Sequence, residues 1–212
     1  FAYLGMDGPN PAAKFQHQRF KKVREDIERL KKSNEPFEYP DENSYPNLDL
    51  EKVKIDDILK EFISNKIQQP DFQTKHVLYS GRYSPGEAEH KYMDYFRKQK
   101  ELSTWKKNQN HFIFSRDCDL VFLALQFIDE NFYIVQFDFN GNEISTFNII
   151  DISSVREFFM GKIANQYIPR TNDFIKRVID DIIVHSFILG NDFIPEFPDI
   201  EPFCTSFNQI II

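Results

Sequence analysis

The sequence predicts an α/β fold in which a mostly parallel β-sheet is flanked by helices. Short apolar runs of strand character alternate along the chain with longer segments of helical spacing. This alternation is typical of βαβ units, because parallel strands need a long crossover that a helix usually supplies. Hydrophobic residues make up 41% of the 212 residues and charged residues 28%, which is the balance of a globular chain with a core of its own.

Three short apolar runs are the predicted strands that matter most for a site. They are FAYLGMDG at residues 1–8, KHVLYSG at residues 75–81 and NHFIFSRDCD at residues 110–119. Acidic side chains end or follow each of them, namely Asp7, Glu87, Glu89, Asp117 and Asp119. In open α/β sheets, sites gather at the carboxyl ends of the strands. We therefore expect these acids to meet at one edge of the sheet.

The remaining segments are predicted to be mainly helical. A helix over residues 12–32 precedes a polar, proline-rich loop over residues 33–50, and helical spacing then returns through Val53, Ile58, Phe62 and Ile63. Further predicted elements are a short helix at 119–127, a hairpin at 132–152 with its Asn-Gly-Asn turn at 140–142, and helices near 155–164 and 172–189. We expect one domain over residues 1–212.

Charge and cysteine content exclude some classes of protein. The net charge of −7 argues against a generally basic nucleic-acid-binding surface, although it allows a local basic site or acids neutralised by metal. Two cysteines, Cys118 and Cys204, give no disulfide framework and fit an intracellular location, cytoplasmic or nuclear. No apolar run approaches the length of a membrane span, so no membrane partner is expected. The chain begins with Phe1 inside a strand-like run, and we expect it to be part of something longer.

The carboxylates are spaced in a way that favours a metal site. Glu87 and Glu89 are two residues apart where a Pro-Gly turn is predicted to enter a helix. Asp117 and Asp119 have the same spacing, which at a strand end places both side chains on one face. Asp192 follows an apolar helix. All-oxygen ligands suit Mg²⁺ or Mn²⁺, and two such ions can clamp a phosphodiester. The alternative is solvated surface charge, or capping of the next helix by Asp117 and Asp119.

The first predicted helix carries a basic stripe. At about 100° per residue, four polar side chains fall within about 100° of one another. They are Lys14, Gln18, Lys21 and Lys22. Phe20, Val23, Ile27 and Leu30 lie on the opposite side, which we expect to be buried. The stripe taken alone is more typical of an ordinary solvated face than of a binding site.

Several motifs together resemble the 5′→3′ exoribonuclease (XRN) family, a branch of the PIN-like and flap-type metal nucleases. They are YLGMDGPNPAAKFQHQRFKK, SPGEAEHKYMDYFR, FSRDCDLVFLAL and VIDDIIVHSFILGNDFIPEFPDIE, in this order along the chain. The resemblance implies a PIN/flap-nuclease-like sheet, incomplete at both ends. Two changes from the family pattern are Ala88, where the family has glycine between the two glutamates, and Cys118, where a small residue is usual.

The resemblance also implies roles for individual residues. The family's metal-binding acids match Asp7, Glu87, Glu89, Asp117, Asp119 and Asp192. Its pocket for the 5′-monophosphate of RNA matches Lys14, Gln18, Lys21 and Lys22, and Lys91 matches a lysine near the scissile phosphate. Lysine at 21 and 22, where arginine is frequent, keeps the charge but loses bidentate hydrogen bonding.

The implied function is a metal-dependent 5′→3′ exoribonuclease that releases 5′-mononucleotides from single-stranded, 5′-monophosphorylated RNA with two Mg²⁺ or Mn²⁺ ions. The alternatives are a flap-type DNA nuclease with the same acids and an RNA-binding remnant without catalysis. A further upstream aspartate of the family has no counterpart in these 212 residues. We therefore expect the chain by itself to bind metal weakly and to degrade RNA poorly.

Overall fold

The computed structural model describes residues 1–9, 12–33, 48–74, 76–141, 143–163 and 171–187. The chain divides into two compact units, Phe1–Lys100 and Glu101–Ile212. The described residues form six helices and five strands, which confirms the mixed α/β class. The two units are described in turn.

The first unit contains one pair of parallel strands and three helices. Its elements are β1 (Ala2–Gly5), α1 (Ala12–Ser33), α2 (Leu48–Lys66), β2 (Val77–Ser80) and α3 (Ala88–Lys100). Strand β1 pairs with β2 so that Tyr3 lies opposite Leu78 and Gly5 opposite Ser80. Helix α3 packs on β1, where the ring of Tyr3 contacts those of two tyrosines of the helix. The parallel register places the carboxyl ends of both strands side by side.

The second unit contains a three-stranded sheet and three helices. Its elements are β3 (Asn110–Phe114), α4 (Asp119–Leu125), β4 (Asn131–Asn140), β5 (Glu143–Asp151), α5 (Ile152–Ile163) and α6 (Asn172–Ser186). Strand β4 is central, parallel to β3 and antiparallel to β5. The predicted hairpin turn is confirmed at Gly141, whose φ is +64°. Phe132 and Ile134 of β4 are fully buried, with Leu125, Ile152 and Ile179 from the helices.

Three expectations about the fold need correction. The described strands pair as two sheets, because β3 pairs with β4 and β1 pairs with β2, so a common edge for all three strands is not formed within one sheet. The predicted bounds of the 33–50 loop are wrong at both ends, since Ser33 belongs to α1 and residues 48–50 belong to α2. Residues 34–47 lie outside the described part of the chain.

The apolar side of α1 is the third correction. Val23 is 45% exposed and Ile27 is 38% exposed, although the spacing predicted a buried face. Helical periodicity identifies which side is apolar, whereas burial also needs an element that packs on that side.

No described helix is long and apolar enough to cross a membrane.

Candidate active site

The candidate site lies in the first unit, at the carboxyl ends of β1 and β2. Two backbone hydrogen bonds join the segments that follow these strands: Met6 donates its N–H to the Ser80 carbonyl at 3.0 Å, and Gly8 donates to the Gly86 carbonyl at 2.9 Å. The parallel pairing of the strands therefore continues into their loops. As a result, Asp7 faces the turn that leads into α3.

Glycine is required at two points of this arrangement. A Cβ atom at Gly8 would collide with the backbone oxygen of Ser84, so no larger residue allows the two segments to approach as closely. Gly86 has a φ of +98°, a backbone conformation that glycine adopts without steric penalty. The Pro-Gly sequence directly before Glu87 therefore sets the direction in which the turn enters the helix.

Asp7 is held at the start of α3. Its Oδ1 atom accepts a hydrogen bond from the N–H of Ala88, the first residue of the helix, at 3.0 Å. The N-terminus of a helix presents unsatisfied N–H groups and partial positive charge, so a carboxylate is favourable there. Alanine at position 88, where the resemblance has glycine, is compatible with this contact. A Cβ at position 5 would lie 3.1 Å from the Ala88 methyl group, so Gly5 leaves room for alanine.

Glu87 and Glu89 lie on either side of Ala88, as a turn-to-helix arrangement predicts. Glu87 is only 3% exposed and immediately precedes α3, and Glu89 lies in the first turn of the helix. Together with His90 they form a cluster in which one ligand atom from each residue lies within 4.8 Å of the others. His90 Nε2 is 3.7 Å from Glu87 Oε2. Because Asp7 contacts Ala88, three of the predicted acids are gathered at this turn.

Burial of Glu87 makes its charge costly unless a cation lies near it. The ammonium group of Lys14, on α1, forms an ion pair with Glu87 Oε1 and is itself mostly buried. This ion pair offsets part of the cost of burying the carboxylate. A buried carboxylate oxygen of this kind, beside a second carboxylate, is suited to a hard divalent cation. The donor set therefore fits a metal site.

Lys91 is engaged by the backbone of the same turn. Its Nζ atom donates hydrogen bonds to the carbonyl oxygens of Met6 at 2.5 Å, Gly81 at 3.0 Å and Ser84 at 3.2 Å, and lies 3.4 Å from that of Ser80. Burial lowers the pKa of the Lys91 ammonium and outweighs the attraction of Asp7 and Asp56, which raises it. The structure thus assigns Lys91 an internal role, which is to tie the two strand ends together.

Asp117 and Asp119 belong to the second unit and have a different geometry from the one predicted. Strand β3 ends at Phe114, and Asp119 is already the first residue of α4, so the alternation expected of a strand does not apply. Cys118 between them has helical backbone angles. Asp117 Oδ1 accepts the N–H of Asp119 at 3.0 Å, a contact between residues two apart that lies just before α4, whereas the N-cap position of this helix is Cys118.

Several predicted residues lie outside the described part of the chain. Asp192 is one, and the side chains of Gln18, Lys21 and Lys22 are the others, although α1 itself spans these three positions. Lys14 is the residue of the predicted phosphate pocket whose contacts are described.

Two buried acids were missed by the sequence analysis. Asp56 on α2 is fully buried and hydrogen-bonded to the end of β2. Glu130 is 2% exposed and accepts the indole N–H of Trp105 at 3.0 Å, while the Trp105 ring stacks on His111. Asp56 is adjacent to Asp57 in a helical segment, and the spacing of the residues does not indicate which of the two carboxylates is buried. A lone tryptophan near a histidine was the only sequence signal for the second cluster.

Comparison with known proteins gives one family. The sequence model described as "XRN 5′-3′ exonuclease N-terminus" matches residues 1–138. The chain is 30% identical to the 5′-3′ exoribonuclease 1 of Homo sapiens, over 92% of this chain and 13% of that protein. It is also 30% identical to the 5′-3′ exoribonuclease 1 of Saccharomyces cerevisiae, over 93% of this chain and 14% of that protein. A 5′-3′ exoribonuclease 2 of Gallus gallus is 25% identical over 94% of this chain and 27% of that protein.

Proposed function

Because the chain belongs to the XRN 5′-3′ exonuclease family, we propose that it forms metal-binding and phosphate-binding parts of an enzyme that degrades RNA from its 5′ end. Its curated relatives carry the name exoribonuclease, and the chain spans about one seventh of the human and yeast proteins. The observation that carries the proposal is the group of Glu87, Glu89 and His90 beside Asp7. We also propose an intracellular location, cytoplasmic or nuclear.

The proposed cofactor is Mg²⁺ or Mn²⁺, in two ions. Asp7, Glu87 and Glu89 would hold metal in the first unit, and Asp117, Asp119 and Asp192 are the further proposed ligands. Bound metal would supply an activated water and neutralise charge at the scissile phosphodiester. Burial of Glu87 and attachment of Asp7 to the helix N-terminus keep these carboxylates in fixed positions.

The proposed substrate is single-stranded RNA with a 5′-monophosphate. Lys14 links the two parts of the site, because it lies on the basic helix and its ammonium contacts Glu87. A phosphate drawn to Lys14, Gln18, Lys21 and Lys22 would therefore bind beside the carboxylates. Fixing the terminal phosphate sets the polarity of cleavage, and the products would be 5′-mononucleotides.

A second candidate is an RNA-binding remnant without catalysis. Two observations favour it: Lys14 is paired with Glu87, and the Asp117 carboxylate accepts the backbone N–H of Asp119. Both side chains thus have partners inside the chain. A flap-type DNA nuclease receives no such support, because the relatives are named for RNA.

Replacement of Glu89 by glutamine tests the proposal. Glu89→Gln keeps the size of the side chain but removes a charged oxygen ligand, and we expect the Mn²⁺ affinity to fall by about tenfold or more. Slow release of 5′-mononucleotides from 5′-monophosphorylated RNA should be lost with it. Glu61→Gln, at an exposed position of α2, is the matched control for charge and should change neither quantity.

Because we expect nucleotide release to be slow even in wild type, the test is the difference in release between wild type and Glu89→Gln, not the rate itself. Calorimetric titration with Mn²⁺ and chromatography of the released nucleotides provide the two measurements. Equal Mn²⁺ affinity and equal release in wild type and Glu89→Gln would overturn the proposal. RNA binding without Glu89-dependent release would support the remnant instead.

A further inference from the structure

Asp56 is a fully buried carboxylate outside the candidate metal-binding cluster. It lies on α2, and three groups donate hydrogen bonds to it. Oδ1 accepts the hydroxyl of Tyr79 at 2.6 Å and the backbone N–H of Arg82 at 3.2 Å, and Oδ2 accepts Lys60 Nζ at 2.5 Å. Burial of an ionised carboxylate is unfavourable unless such partners are present. All three are present here, and two of them belong to the end of β2 and its turn.

The turn after β2 is folded directly over this carboxylate. A Cβ at Gly81 would collide with Asp56 Oδ1, so the backbone at Gly81 lies against the carboxylate. The Tyr79 and Arg82 contacts fall on either side of Gly81. Asp56 therefore fixes the point at which the chain leaves β2, and it does so from a different helix.

The same turn carries the groups that hold the candidate site. The carbonyl oxygens of Gly81 and Ser84 accept hydrogen bonds from Lys91 Nζ, which also binds the Met6 carbonyl next to Asp7. Five residues beyond Arg82 the chain reaches Glu87. A displacement of the turn would thus move Glu87 relative to Asp7, because both are attached to it.

We propose that Asp56 is a positioning residue for the metal-binding carboxylates: it anchors the 81–87 turn and thereby holds Glu87 and Glu89 in place relative to Asp7. The inference rests on the proposed function, because it assigns Asp56 to the support of that site. Its hydrogen-bond donors Tyr79, Arg82 and Lys60 are not members of the cluster. Outer-shell partners of this kind typically change metal affinity by about 10- to 100-fold when removed.

Two substitutions separate the anchoring contacts from the charge. Asp56→Ala removes every acceptor, whereas Asp56→Asn keeps an oxygen that can accept from Tyr79 and Arg82 and loses the ion pair with Lys60. We expect Asp56→Ala to weaken Mn²⁺ binding by about tenfold or more. We expect Asp56→Asn to retain most of the affinity. Lys60→Met, which removes only the ammonium partner, should have a similarly small effect.

Amide hydrogen exchange provides a readout that does not depend on metal. The Arg82 N–H contacts Asp56 directly, while the Ala88 N–H is bonded to Asp7 and reports the position of the acids. Asp56→Ala should reduce protection at both amides. Phe96→Leu, at a buried position of α3, is the control for general loss of stability and should leave the ratio of protection at these two amides unchanged.

The outcomes are distinct. If Asp56→Ala exposes the Arg82 amide but leaves Ala88 protection and Mn²⁺ affinity unchanged, Asp56 is a local structural residue and the inference is overturned. If wild type binds no Mn²⁺, the proposed function fails, and loss of Ala88 protection in Asp56→Ala still decides whether the anchor acts on the acids. Should Asp56→Ala not fold, Tyr79→Phe removes one anchoring contact and is expected to give a smaller change in the same direction.

Discussion

The role of each charged residue in the site depends on the groups that surround its side chain, as Glu87, Glu89 and Lys91 show. Glu87 and Glu89 were predicted as a pair because they flank a turn into a helix, and the structure places them there. The resemblance matches Lys91 to a lysine near the scissile phosphate, and in the structure its ammonium donates to backbone carbonyls of the turn. A charged side chain in a motif can therefore contact either a ligand or the protein's own backbone, and the positions of nearby carbonyls and carboxylates distinguish the two.

Asp56 gives a prediction for acid pH. Burial would raise the pKa of its carboxyl, but hydrogen bonds from Lys60, Tyr79 and the Arg82 backbone reverse the shift, so the pKa lies below its ordinary value. A carboxyl with a lowered folded-state pKa stabilises the protein fully above its unfolded value, and this stability is lost as the pH falls through the folded value. Asp56→Asn should thus lose less of its stability than wild type as the pH falls from about 5 to about 3.

Urea unfolding at several pH values measures this difference. Asp57→Asn removes the charge of the neighbouring carboxylate, which is exposed, and is the control for net charge on α2. Parallel stability curves for wild type and Asp56→Asn would show that the Asp56 carboxyl does not titrate differently on folding.

At the scale of elements, alternation of strand-like and helical segments was enough to locate β1, β2, β3, the β4–β5 hairpin and α3. The pattern could not predict which strands pair in the same sheet, because periodicity is a property of one segment whereas pairing depends on two. The end of β3 was also misplaced, because Asp117 and Asp119 fit either a strand end or a helix cap. Asp56 was missed for a related reason: helical spacing does not say which helix contacts a distant turn.

Two glycines in the structure predict opposite effects of alanine. Gly86→Ala should destabilise by about 1–2 kcal/mol, because an L-residue in the left-handed region is strained. Gly161→Ala should stabilise by about 0.5–1 kcal/mol, since Gly161 lies in α5 and a Cβ there would meet no atom within 4 Å.

Thermal or urea unfolding of the two variants provides the measurement. If both substitutions lowered the free energy of unfolding by a similar amount, the positive φ of Gly86 would not be the cause of the loss, and the prediction would be wrong. Mn²⁺ affinity should fall only in Gly86→Ala, because this glycine directs the turn that presents Glu87.

At the scale of the whole molecule, the position of the basic helix α1 beside the carboxylates bears on how RNA would be recognised. Glu87 contacts Lys14, so the basic helix starts beside the carboxylates rather than on a separate surface. The net charge of −7 makes a nonspecific attraction of RNA to the chain as a whole unfavourable. Recognition of RNA is then expected to depend on a local group of cations.

Substitution of Lys21 and Lys22 by alanine tests recognition of the terminal phosphate. The double variant should weaken binding and slow decay of 5′-monophosphorylated RNA, with a much smaller effect on 5′-hydroxyl RNA of the same sequence, because the lost contacts are to the terminal phosphate. Lys106→Ala with Lys107→Ala changes the net charge equally at exposed positions and should affect both RNAs little. Competition binding at fixed salt, followed by a decay assay, gives the comparison. An equal loss for both RNAs in the Lys21 and Lys22 variant would mean that these lysines contact the RNA backbone in general and do not select its 5′ end.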